Sequence, residues 1–161
     1  MIQVLILIFF TVLSITSFAQ NSIIGNWKPV FMEIDSVMKV DLRTNKTEYS
    51  KALEKMVVEK GISKQMLDIM KTLFVEKIKD ANEAFLANGT HIVSASKSKT
   101  NITTTYTYDA KTKMLTIQDA KNKMNQVFKV EFSKVGFTTT GEMKNPINGK
   151  NAKMKIMYEK A

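Results

Sequence analysis

From residue 100 to the C-terminus the chain keeps one pattern: short stretches in which every second residue is apolar or aromatic, each closed by a polar turn. "NITTTYTYD" sets Ile102, Thr104, Tyr106 and Tyr108 on one parity. "MLTIQD" does the same with Leu115 and Ile117. "QVFKVEFS" places Phe128, Val130 and Phe132 opposite Lys129 and Glu131, and "AKMKIMYEK" places Met154, Ile156 and Tyr158 opposite Lys153, Lys155 and Glu159. Successive strand residues point to opposite faces, so each stretch has one face for a core and one for water. The joining segments "AKTK", "AKNK" and "KVG" are short enough to make antiparallel neighbours. A meander of this kind has two exposed edges, and closure into a barrel removes both. The pattern therefore predicts a mainly β fold, an antiparallel β-barrel of about seven or eight strands.

The first half of the chain has a different period. "WKPVFMEIDSVMKVDL" is strand-like, with Val30, Met32 and Ile34 on one parity and Phe31 on the other. Pro29 removes a donor, so this strand begins at an edge or bends there. "RTNKTEYS" is expected to be a turn or loop. Between residues 50 and 86, apolar residues recur at three and four: Leu53, Met56 and Val57, then Met66, Met70, Leu73, Phe74, Ile78, Ala81 and Phe85. This predicts an amphipathic helical insertion after the first strand or strands, as one helix or as two broken near Gly61, with Ser63 as N-cap of the second. Its methionines suit core packing and, as adaptable side chains, also suit a binding surface. Asn88-Gly89 marks a tight turn into the strands that follow.

Compartment is suggested by the first residues. "MIQVLILIFFTVLSITSFAQ" is apolar from Val4 to Leu13 apart from Thr11, then becomes small and polar. The apolar run is about ten residues, short for a membrane span of roughly 20. Ser17 and Ala19 are the small residues a signal peptidase reads. Residues 1–19 are therefore expected to be a signal peptide cleaved near Ala19, leaving residues 20–161 as a single domain. The chain has no Cys. Export without disulfides fits a bacterial envelope protein, periplasmic or secreted, whose core alone supports the fold.

The net charge of +9 comes from 24 basic and 15 acidic residues, and Arg43 is the only Arg. Nucleic-acid readers use Arg for bidentate contacts, so a Lys-coated surface without a recognition motif argues against a nucleic-acid partner. It suits weak contact with an anionic membrane surface.

Gly25-Asn26-Trp27, directly before the first strand, resembles the Gly-x-Trp motif that opens lipocalins. Phe85-Leu86-Ala87-Asn88-Gly89-Thr90 is similar to a later phrase of bacterial lipocalin-like envelope proteins. The resemblance implies a barrel in which Trp27 plugs the closed end, with Gly25 letting the chain pass close beneath. It also implies a basic residue of a late strand packed over the Trp ring, for which Lys153 or Lys155 is available. A small hydrophobic or amphipathic ligand would then sit at the open end.

Candidate lining residues are Phe31, Tyr106, Tyr108, Phe128, Phe132, Met154 and Tyr158, each of which also suits an ordinary core. One His and no Cys exclude a Cys nucleophile, a CxxC redox pair and a multi-His metal site within one chain. His91 is expected at a surface or rim. Asp109, Asp119 and Glu142 fall at strand ends, where solvated turn residues belong. No Gly-rich phosphate loop is visible. These residues predict no catalytic site, no metal and no cofactor. The alternative is an interaction module, in which the Met-rich helix docks on an envelope partner or membrane face and the barrel is filled by its own side chains.

Overall fold

The computed structural model describes residues 22–95, 99–145 and 148–161. The expected signal peptide, residues 1–19, lies outside them. Ten strands form one sheet: β1 (Gly25–Ile34), β2 (Met38–Asp41), β3 (Lys46–Tyr49), β4 (Ala81–Phe85), β5 (Thr90–Ala95), β6 (Thr100–Asp109), β7 (Met114–Asp119), β8 (Met124–Phe132), β9 (Gly136–Lys144) and β10 (Asn151–Lys160). Two helices, α1 (Lys51–Glu59) and α2 (Lys64–Lys79), lie between β3 and β4. Strands β4 to β10 form an antiparallel meander, and β1 pairs with both β4 and β10. This closes an eight-stranded barrel, as the alternation predicts.

β1 is shared between the barrel and a side hairpin. Its first residues pair with β4 (Gly25↔Phe85, Trp27↔Glu83), and its last pair with β2 (Phe31↔Asp41, Ile34↔Met38). Along its other edge β10 runs the whole way, with a register shift between Pro29 and Phe31. Pro29 has no N–H to give, and the ladder slips by one residue beside it. Buried Trp27 and Pro29 therefore give way to Met32 and Ile34, opposite Ile156 and Met154. The segment expected to be a turn or loop, "RTNKTEYS", contains β3, paired along its length with β2.

The insertion is two helices. Gly61 (φ +72°) separates them, and the Ser63 hydroxyl accepts a hydrogen bond from Met66 N at 3.2 Å, as its N-cap position predicts. Ser50 caps α1 in the same way, through Leu53 N. The helical reading to residue 86 is corrected: α2 stops at Lys79, and Ala81–Phe85 is strand β4. A spacing of four, as between Ala81 and Phe85, keeps residues on one face of a helix and of a strand alike. Val57, Leu67 and Ile78 are buried, and Leu53 packs against Ile34, Val37 and Ala152. Met66 and Leu73, expected on the packed face, are exposed by 52% and 65%, and with Ile69 they form a solvent-facing stripe. The Met70 side chain lies outside what the structure describes.

Three hairpin turns share one construction. Asp41 Oδ1 accepts from Arg43 N and Thr44 N, Asp109 Oδ1 from Lys111 N and Thr112 N, and Asp119 Oδ1 from Asn122 N. The fourth residue after each Asp (Asn45, Lys113, Lys123) takes a left-handed φ of 56°, 58° and 52°. Acceptance of backbone N–H bonds, foremost from Lys111, holds the Asp109 carboxyl below its usual range. These Asp residues build turns.

One end of the barrel is plugged by aromatic rings. Trp27, 3% exposed, meets Phe137 edge-on at 4.8 Å, and Phe137 stacks on Tyr158 at 4.8 Å. Phe85 stands edge-on to Tyr106 at 5.1 Å, and Phe132 joins Tyr108 and Phe137. Trp27 Nε1 donates to Ile23 O at 2.7 Å, which satisfies the one polar atom of its ring. The cation over its ring is Lys160, with Nζ 4.6 Å from the centroid. That corrects the expectation of Lys153 or Lys155. Those two point outward, into an external groove with Glu33, Asp35, Glu131 and Glu142. Gly25 is glycine for conformation, its φ of +140° being one that side chains rarely adopt; a Cβ there would lie 3.3 Å from Lys160 Nζ, the flexible end of a side chain that can give way.

Candidate functional site

Above the aromatic plug the barrel interior is not filled. A cavity of about 320 Å³ remains, lined by strands β4 to β10. Phe85, Leu115 and Phe128 form its floor against the plug, and Val93, Ile117, Met154 and Ile156 give it apolar walls. Ile102, Asp119, Met124 and Gln126 also line it; Ile102 and Met124 are each 51% exposed, which marks the mouth between the start of β6 and the start of β8. The volume is at the small end of the range for ligand pockets, about 300–1,000 Å³.

Glycine contributes to this shape. Gly141 on β9 faces Phe128 on β8, and a Cβ at 141 would lie 2.6 Å from Phe128 Cδ1. The ring can approach β9 this closely only because that side chain is missing. A larger residue at 141 would push it toward the cavity.

Below the mouth, where Asp119 and Gln126 lie, the polar part of the wall is a connected cluster. Glu83 Oε1 accepts from the Tyr158 hydroxyl at 3.1 Å, and Glu83 Oε2 lies 2.9 Å from His91 Nε2. His91 Nδ1 lies 2.9 Å from Thr104 Oγ1. With a neutral imidazole protonated at Nε2, every hydrogen bond runs one way: Thr104 to His91, His91 to Glu83, and Tyr158 to Glu83. The sheet register assembles it. β4–β5 pairing sets Phe85 opposite His91, which also brings Glu83 diagonally beside His91 on the same face. β5–β6 pairing sets His91 opposite Thr104. Tyr158 reaches Glu83 across β1, which lies between β10 and β4. The His91 ring stacks on Phe85 at 4.5 Å, which fixes its plane.

The cluster is buried. Tyr158 is 6% exposed and His91 4%. Burial, then the neighbouring Glu83 carboxylate, pushes the Tyr158 phenol well above its usual range and keeps it a donor. Beside it stands Thr139 on β9, 3% exposed. The Thr139 hydroxyl is close enough to ease ionisation of Tyr158, yet it forms no hydrogen bond of adequate geometry. Thr139 is a lining residue of the cavity, and its hydroxyl is a buried polar atom without a hydrogen bond.

Of the predicted lining residues, Phe128, Met154 and Tyr158 line the cavity. Phe31 does not: it sits on the other parity of β1, opposite Met157 and Asp41, because the slip after Pro29 turns Met32 and Ile34 inward instead. Tyr106, Tyr108 and Phe132 face inward but belong to the aromatic plug, where Tyr106 donates its hydroxyl to Leu86 O at 2.8 Å. Gly25 and Trp27 occupy the closed end. His91, expected at a surface or rim, is instead buried at the centre of the polar cluster.

Sequence reasoning missed Glu83, Thr104 as a polar group, and Thr139. Taking Asn88-Gly89 as a hairpin turn would have placed His91 opposite Phe85, but the helical reading through residue 86 concealed that pairing. "FTTTGEM" has no apolar alternation to reveal Thr139.

Among the described residues no three His, Cys, Asp or Glu side chains approach closely enough to hold a metal ion. No described helix is long and apolar enough to cross a membrane. Chemically, the arrangement offers an apolar chamber with hydrogen-bonding groups fixed in one wall. No family model, curated protein or solved structure matches this chain.

Proposed function

We propose that this chain is an exported, lipocalin-like carrier, periplasmic or secreted once residues 1–19 are removed, that holds a small hydrophobic or amphipathic molecule inside its barrel without transforming it. The observation that carries this is the unfilled interior chamber of about 320 Å³ above the aromatic plug. A barrel with only a scaffold role would fill that space with its own side chains. Lys160 over Trp27, with Gly25 beneath, supports the lipocalin likeness: the elements of that motif lie together at the closed end.

Native mass spectrometry and solvent extraction of the mature protein, residues 20–161, purified from its own compartment, tests the proposal. A stoichiometric bound small molecule is the expected result. An empty protein that gains no thermal stability from a lipid and metabolite panel would remove the carrier function.

The exposed stripe of Met66, Ile69 and Leu73 on α2 favours a second reading, the helix as a docking surface on an envelope partner or membrane face. Substituting all three with Gln separates the two. Ligand retained with unchanged localisation favours a role at the chamber, and altered localisation favours docking.

A further inference from the structure

We infer that the molecule held in the barrel carries a hydrogen-bond-donating head, a hydroxyl or an amine, seated against Thr139 and Glu83, and that the chamber selects against carboxylates. The inference rests on the carrier function proposed above and assigns its ligand class.

Three observations carry it. The first is Thr139, a lining residue 3% exposed, whose buried hydroxyl lies beside that of Tyr158 yet makes no hydrogen bond of adequate geometry. Buried polar groups are nearly always paired, and the chamber is the side from which a partner can come.

The second is the direction of the neighbouring bonds. Tyr158 and His91 both donate to Glu83. A carboxylate has about four lone-pair sites, and two are used here. What the cluster has left to offer is acceptor capacity: the remaining lone pairs of Glu83, those of the Tyr158 oxygen, and the hydroxyl of Thr139. A ligand group that donates completes this set. One that only accepts finds a single free hydroxyl.

The third is charge. The chain carries 24 Lys and Arg, yet among the described residues none lines the chamber. The acidic side chains among the lining residues are Glu83 and Asp119, and the His91 imidazole is engaged by Glu83. A ligand carboxylate would lose its hydration and stand near Glu83 with no cation to pair it. A hydroxyl is acceptable there, and an ammonium head is attracted. The positive outer surface and the acidic interior thus differ in sign. Ile117, Met154 and Ile156 leave space for a short apolar body.

Calorimetric titration of the mature protein at pH 7 with 1-octanol, octylammonium, octanoate and toluene tests this, with Thr139→Val and Glu83→Gln as variants. Octanol and octylammonium should bind at least about tenfold more tightly than octanoate. Thr139→Val should cut the advantage of octanol severalfold, and Glu83→Gln should cut that of octylammonium most. Octanoate binding as tightly as the other two would overturn the inference. So would an unchanged preference in both variants, since the head would then lie at the mouth. Toluene binding without octanol or octylammonium would leave a carrier of purely apolar molecules and overturn the head-group assignment alone. No binding of any of the four would remove the carrier function as well.

Discussion

Removing the Glu83 side chain should destabilise the barrel more than replacing the whole polar cluster. Glu83 receives two hydrogen bonds, from Tyr158 at 3.1 Å and from His91 at 2.9 Å. Both donors are more than nine-tenths buried. Glu83→Ala leaves each without its acceptor, at about 1–3 kcal/mol apiece. Relief comes from the removed carboxylate, which no longer has to be desolvated, and from chamber water that reaches the vacated space. A net loss of about 2–4 kcal/mol is expected. For a domain of this size that is a fall in Tm of roughly 10 °C. The triple variant Glu83→Met, His91→Phe, Tyr158→Phe removes donors and acceptor together and keeps the ring that stacks on Phe85. It should lie within about 1 kcal/mol of the native protein, because apolar groups of similar shape replace a buried network at little cost. Urea unfolding followed by circular dichroism measures both. A loss below about 1 kcal/mol for Glu83→Ala, or a triple variant as unstable as the single one, would refute the description of a buried, interdependent cluster.

Thr139→Val should raise stability by about 1 kcal/mol, since it removes a buried hydroxyl with no partner, while weakening ligand binding; thermal unfolding with and without octanol measures both. Gly141→Ala should cost about 1–3 kcal/mol and shrink the chamber, because the new Cβ would meet Phe128 Cδ1 at 2.6 Å and Val127 O at 2.8 Å; denaturant titration and ligand affinity should both decline. Tyr158 holds its proton more tightly folded than unfolded, so its contribution is complete below about pH 10, the unfolded value, and is lost as pH rises toward the higher folded value. Between those limits native stability should fall by up to about 1.4 kcal/mol per pH unit on its account, and Tyr158→Phe should flatten that slope. Lys113→Gly should stabilise the β7 hairpin by a few tenths of a kcal/mol, as relief of the left-handed φ of 58° outweighs the added freedom of the unfolded chain; a fall in Tm would contradict this.

The parity of β6, β7, β8 and β10 was legible because each strand has one wet face and one dry face, and alternation records that directly. The helix break at Gly61 and the Ser63 cap were legible because both are local. The end of α2 was not, since Ala81 and Phe85 fit either period, and the error hid the hairpin that pairs Phe85 with His91. The change of inward parity in β1 was half legible: Pro29 announced a disturbance, and the pairing with β10 decided which residues turned inward after it.

The sequence by itself determined that the chain would close a β meander around an apolar interior, with Trp27 beside its first strand, because hydrophobic periodicity and turn chemistry act between near neighbours. Only the tertiary structure decided which inward residues meet. Tyr158 and Glu83, 75 residues apart, touch because β1 spaces β10 from β4. Thr139 is left without a hydrogen bond because Tyr158, the hydroxyl that β10 brings beside it, is turned to Glu83. Lys160, and not Lys153 or Lys155, covers the Trp ring because the β1–β10 register pairs it with Trp27. Register around a closed barrel is a condition on all the strands together, and no single stretch of sequence contains it.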